Sequence, residues 1–73
     1  MTLSENTIIE IEYVLNDLRN FTYKHETICF GLQLDPNDDL GQKVGKIIAQ
    51  ENVSNYTMIN QLKRLKLTTT ENS

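Results

Sequence analysis

The pattern of apolar residues predicts a mainly α domain. It has three helices, at about residues 5–20, 39–51 and 54–67, and one short β segment at about 27–34. Three observations carry this. Ile8, Ile11, Leu15 and Leu18 recur at steps of three and four, the period of a helix buried along one side. Thr27 to Leu34, TICFGLQL, alternates apolar and polar residues, the period of a strand. Residues 39–67 contain two cap-and-stripe patterns meeting at Asn52.

In chain order, Ser4 is placed to cap the first helix. Glu5 sits in its favourable first turn, and Leu3 is spaced to staple onto Ile8. Val14 and Phe21 widen the apolar stripe, and Glu10, Glu12, Asn16, Asp17 and Arg19 form the wet side. Residues 21–26, FTYKHE, are ambiguous. If 27–34 is a strand, Ile28, Phe30, Leu32 and Leu34 face one way and Thr27, Cys29, Gly31 and Gln33 the other. Its open edge then invites the same strand from a second copy. The competing reading makes residues 22–31 an extra short helix ended by Gly31. Pro36 in the turn DPND forces Asp35 out of the helical region and separates this segment from the helix at 39–51.

Asp39 with Gln42 fits a capping box for that helix, whose apolar residues are Leu40, Val44, Ile47 and Ile48. Gly41 and Gly45, one turn apart, weaken it and point to close packing of another element against bare backbone. Asn52 suits the left-handed conformation that ends a helix. Ser54 caps the last helix, Val53 and Met58 are spaced as its staple, and Met58, Ile59, Leu62 and Leu65 are its apolar stripe. Tyr56, Asn60, Lys63 and Arg64 fall on the opposite side, with Thr57 flanking and Leu67 near the frayed end. Residues 1–67 read as a single small domain and 68–73 as a polar C-terminal tail.

The run Val53-Ser54-x-x-Thr57-Met58-x-x-x-Leu62-x-x-Leu65 resembles the turn and second helix of helix-turn-helix DNA-binding domains, over residues 39–67. The resemblance implies that the helix after Ser54 enters a major groove. A second resemblance is to ribbon-helix-helix repressors. It rests on the alternating run before Asp39 and on Ser54-x-x-x-Met58-Ile59-x-x-Leu62, and it implies a two-subunit ribbon presenting Thr27, Cys29, Gly31 and Gln33.

Seventy-three residues with 38% hydrophobic content make one folded domain with a small core, which a second copy or a partner would help. One cysteine forms no internal disulfide, and neither a membrane-length apolar run nor a signal-peptide pattern is seen, so the expected location is cytoplasmic. The net charge of −3 argues against nucleic-acid binding by bulk charge. Its distribution is uneven, however. Glu5, Glu10, Glu12, Asp17, Glu26, Asp35, Asp38 and Asp39 face only Arg19 and Lys24 in the first 39 residues. Lys43, Lys46, Lys63, Arg64 and Lys66 face only Glu51 in residues 40–67.

The candidate DNA-binding residues are Ser54, Asn55, Tyr56, Thr57, Asn60, Lys63 and Arg64. Asn and Arg can pair two-pronged with adenine and guanine, Lys and Tyr can hold phosphates, and Ser54 and Asn55 would bring helix-start N–H groups to a phosphate. An ordinary solvated helix face has the same composition. His25 and Cys29, at helical i,i+4 spacing, are too few for zinc, and a surface His beside a half-buried thiol is the plainer reading. Asp35-x-Asn37-x-Asp39 starts like a calcium loop but has Leu40 where Gly is needed and Lys46 where Glu is needed. Asn20, Asn52 and Asn55 match glycosylation acceptors, as an Asn-rich chain does by chance. No phosphate-binding glycine loop or nucleophile elbow is present, so neither an enzyme, a cofactor nor a metal is expected. The expectation is a small DNA-binding transcriptional regulator acting as a homodimer on double-stranded DNA. The alternative is a protein-interaction module, an inhibitor or adaptor, using the acidic first helix or the edge strand.

Overall fold

The computed structural model describes the backbone of residues 3–71 and the side chains of residues 3–66. Four helices account for most of it: α1 (Glu5–Asn16), α2 (Phe21–Gly31), α3 (Asp39–Ile48) and α4 (Asn55–Glu71). The mainly α class holds, and no strand occurs among the described residues.

The first correction concerns residues 17–20. A single helix over 5–20 was expected, but α1 stops at Asn16. Two side chains compete with the helical backbone there. Asp17 Oδ1 accepts the Arg19 N–H at 2.9 Å, and Asn20 Oδ1 accepts the Tyr23 N–H at 2.9 Å, capping a new helix. Leu18, expected in the apolar stripe, therefore falls in a link and is fully exposed. Ser4 does cap α1, its hydroxyl accepting the Thr7 N–H at 3.2 Å.

The second correction is the β segment. Residues 27–31 are the last turns of α2, as the alternative reading had it, and 32–34 are its terminus. The alternation of Ile28, Phe30 and Leu32 coexists with a helical pattern, and the helical one decides what is buried. Ile28, Cys29 and Leu32 are in the core, while Phe30 is 84% exposed. Thr27, Cys29, Gly31 and Gln33 consequently do not share a face. Gly31 is the last helical residue of α2, as the alternative reading had it, and the left-handed stop lies beyond it. Leu34 N–H donates to Cys29 O (2.9 Å) and Gln33 N–H to Phe30 O (3.0 Å), a Schellman pair in which Gln33 takes the left-handed conformation at φ 61°.

Asp38, one residue earlier than expected, occupies the cap position of α3 and makes no side-chain capping bond. Asp39 lies in the first turn. Gln42 reaches back to Asn37 O at 3.2 Å. Asp35 and Asn37, the first residues of the calcium-like pattern, form a turn: Asp35 Oδ1 accepts the Asn37 N–H at 2.9 Å. The helix expected to reach residue 51 ends at Ile48. Asn52 is left-handed, φ 61°, as its type suggested. Ser54 then caps α4, accepting the Thr57 N–H at 3.2 Å. The α4 backbone continues past the expected stop at Leu67 to Glu71, so residues 68–71 of the expected tail are helical. The Leu67 side chain and residues 72–73 lie outside the described residues.

Contacts between α1 and α2, α2 and α3, α3 and α4, and α1 and α4 close the helices into a ring. Side-chain bonds fix two of the corners and one diagonal. Lys24 Nζ donates to Leu15 O (3.4 Å), Asn55 Nδ2 to Asn16 Oδ1 (2.7 Å), and Lys66 Nζ to Leu32 O (2.7 Å). The two lysines thus meet carbonyls at or just past the ends of α1 and α2, where helical acceptors lack partners. Inside lie Ile11, Ile28, Cys29, Leu32, Val44, Ile59 and Leu62, with Leu3, Ile8, Val14, Leu15, Ile47, Ile48 and Leu65 packed around them. Among the described residues, no helix is long and apolar enough to cross a membrane.

Candidate nucleic-acid interface

The core-facing residues of α4 are Met58, Ile59 and Leu62. Helical spacing then fixes what the opposite side carries. Tyr56, Thr57, Lys63 and Arg64 are exposed and Asn60 is half-buried, so five of the seven expected contact residues lie on the outer side of one helix. The other two, Ser54 and Asn55, are engaged at the helix start. The Ser54 hydroxyl caps Thr57 N–H and lies 3.1 Å from Thr57 Oγ1. The Asn55 amide donates to Asn16 of α1, which ties the start of α4 to the acidic helix.

No acidic residue occurs between Asn52 and Thr70, so the exposed side chains of α4 as far as Arg64 are neutral or cationic. Exposed Lys43 and Lys46 add positive charge on α3. Where α3 meets α4, Gln50 Nε2 donates both to Ile47 O (2.8 Å) and to Gln61 Oε1 (2.6 Å). These bonds fix the end of α3 against α4. Lys46, Ile47, Gln50 and Gln61 line an open groove at this junction. Sequence reasoning did not single out the glutamines, because a polar residue in a helix does not disclose that its amide meets another across a corner.

His25 and Cys29 do come together, but on a backbone group. His25 Nε2 lies 2.7 Å from Gly41 O, and the Cys29 thiol points to the same oxygen at 3.9 Å. Phe21 stacks on the imidazole at 5.7 Å between centroids. Gly45 provides the space for the ring, since a Cβ there would lie 3.2 Å from His25 Nε2. The pair is thus a structural clasp between α2 and α3. Burial, and secondarily the negative charge of Asp35, push the Cys29 thiol above its ordinary pKa. Among the described residues no three His, Cys, Asp or Glu side chains converge as metal ligands. No protein-family model matches the chain, and neither a curated protein nor a solved structure is similar to it.

Proposed function

We propose that the chain is a small DNA-binding regulator that lays the outer face of α4 against duplex DNA. The observation carrying this reading is the exposed set Tyr56, Thr57, Lys63 and Arg64, with Asn60 beside it, on a helix free of acids from Asn52 to Thr70. Lys63, with Lys43 and Lys46 of α3, would hold phosphates, and Asn60 and Arg64 would read base edges. The acidic residues concentrated in α1 and in the α2–α3 turn would orient the molecule, cationic helices toward the duplex.

The test is fluorescence anisotropy with random-sequence duplexes at low salt, followed by selection of a preferred site. Binding should weaken steeply with added salt, and Lys63→Ala should lower the log–log salt slope by about one. Arg64→Ala and Asn60→Ala should each weaken the selected site by about 1–3 kcal/mol while the circular dichroism spectrum is unchanged. No binding at low salt, or binding indifferent to all three substitutions, refutes the reading.

A second reading, a protein-interaction module acting through α1, draws on Ile9 and Tyr13. They are 48% and 73% exposed on a helix that also carries Glu5, Glu10 and Glu12. It predicts flow-through on heparin resin, where the first reading predicts salt-dependent retention.

A further inference from the structure

The α1–α2 pair exposes large apolar side chains at both of its ends. Leu18 is 101% exposed in the link between the helices, and Phe30 is 84% exposed in the last turn of α2. The helices run antiparallel. Lys24 of α2 bonds the carbonyl of Leu15 near the link, while Thr7 of α1 and Gly31 of α2 line one cavity at the far end. Along their seam runs a shallow groove of about 90 Å³, floored by Ile11, Val14 and Ile28, with Phe30 and Glu10 at its rim. Gly31 leaves it open, because a Cβ at that position would meet nothing within 4 Å.

The charges on this face are arranged by end as well. Glu10 lies beside Phe30. Arg19 lies at the link, its guanidinium over the Tyr23 ring at 4.6 Å and its Nε 3.7 Å from Asp17. The Arg19 side chain is 64% exposed, which leaves it open to a further carboxylate while it keeps Asp17. Tyr23 and Phe30, seven residues apart on α2, share one side of that helix, so this side carries an apolar knob beside an acid at one end and Tyr23 under the Asp17–Arg19 pair at the other. The step from Tyr23 to Phe30 spans roughly 10 Å of helix.

We propose that this face pairs with the same face of a second copy of the chain, antiparallel about a two-fold axis. In that arrangement each Phe30 packs onto the partner copy's link, against its Leu18 and Tyr23, and each Glu10 meets the opposing Arg19. A parallel arrangement would set Glu10 on Glu10 and Arg19 on Arg19. A two-fold contact needs a surface that is its own complement, and Glu10 at one end with the exposed Arg19 guanidinium at the other supplies that here, against the opposing charge of Asp17. The pairing leaves the outer face of α4 unoccupied and does not depend on the nucleic-acid reading.

The test is sedimentation velocity of the full chain from about 1 μM to about 1 mM. The mass should rise with concentration from 8.4 kDa toward twice that value. Phe30→Glu should raise the dissociation constant by about 30-fold or more, as loss of an aromatic anchor replaced by a charge does. Gly31→Arg, which fills open space, should act the same way and serves if Phe30→Glu fails to fold. Glu10→Arg should weaken association, and Glu10→Arg combined with Arg19→Glu should restore it. A mass fixed at one chain throughout overturns the proposal. So does an association indifferent to Phe30→Glu and Gly31→Arg, and a double exchange without recovery overturns the antiparallel pairing.

Discussion

The glycines of this chain occupy different environments, and replacing each by alanine should separate them sharply. At Gly41 an added Cβ would lie 2.6 Å from Pro36 Cα and 2.8 Å from the Asp35 carbonyl carbon, with the Asp35 carbonyl oxygen closer still. These are backbone atoms and cannot swing aside, so the start of α3 must retreat from the 35–36 turn. Such overpacking costs about 1–3 kcal/mol. The retreat also strains the bond between His25 Nε2 and Gly41 O, for about 1 kcal/mol more. Alanine returns about 1 kcal/mol of helix propensity. The net expectation for Gly41→Ala is a loss of about 2 kcal/mol. A domain of this size has a total stability of roughly 4–11 kcal/mol, so the melting temperature should fall by about 8–16 °C.

Gly31 is the internal control. It is helical, has no positive φ and would place its Cβ in open space, so Gly31→Ala should stabilise the fold by about 0.5–1 kcal/mol. Gly45→Ala lies between. Its Cβ would lie 3.2 Å from His25 Nε2, the atom bonded to Gly41 O, so strain of about 1 kcal/mol on that bond and the propensity gain should cancel to within about 0.5 kcal/mol. The assay is urea denaturation monitored by circular dichroism, at a low protein concentration where self-association does not contribute. If Gly41→Ala lies within about 0.5 kcal/mol of the parent, or does not rank below Gly31→Ala, the proposed close approach of α3 to the turn is wrong.

Two further outcomes concern the α2 terminus and the core. Gln33 holds the left-handed position of the Schellman pair, where glycine carries no Cβ penalty. Gln33→Gly should therefore raise stability by about 1 kcal/mol in the same denaturation assay, and a loss would show that the Gln33 side chain contributes more than its backbone costs. The Cys29 thiol, raised by burial and by Asp35, stays protonated in the folded state where the unfolded chain would ionise. The folded state then binds more protons than the unfolded one, so this contribution is fully present below the ordinary thiol pKa of 9.0 and is lost as pH rises beyond it. Cys29→Ala should flatten the alkaline arm of the stability profile, and an unchanged slope between parent and variant would refute the assignment.

What the sequence discloses about the fold depends on whether a local pattern has one solution or two. The cap at Ser4, the left-handed Asn52 and the cap at Ser54 were legible because each combines a residue type with a position that admits no competing element. The stretch from Asp17 to Leu34 was not. Apolar residues at 28, 30, 32 and 34 satisfy a strand, while 28, 29 and 32 satisfy a helix, and only the asparagine at 20 breaks the tie by capping Tyr23. Asn20 taken as a cap, rather than as the end of a long first helix, leads directly to α2. Gly31 did mark the last helical residue, but the left-handed position that closes the helix falls two residues later on Gln33, a residue type rarely left-handed. For the candidate interface, helical spacing from Met58 and Leu62 placed Tyr56, Thr57, Lys63 and Arg64 outside without tertiary information. It gave no hint that Asn55 would be held by Asn16, a partner 39 residues away.

That long-range bond bears on how the two faces relate. Asn16 ends α1 and Asn55 begins α4, so the start of the cationic helix is tied directly to the acidic one. The clasp of His25 on Gly41 joins α2 to α3, and the Lys66 bond ties α4 across the ring to the end of α2. A rearrangement of the α1–α2 pair on self-association would therefore reach α4 through Asn16 and Lys66, without passing through the core. A rigid pairing would instead present two α4 faces at a constant spacing, which is what a two-fold DNA site reads. Asn55→Ala tests whether the bond to Asn16 sets the placement of α4. It removes one exposed hydrogen bond, so stability should change by about 1 kcal/mol or less. Under rigid coupling, binding to a selected two-fold duplex site should weaken while binding of one chain to a half-site does not. Equal weakening at both would mean that Asn55 acts on the DNA itself and not through the placement of α4.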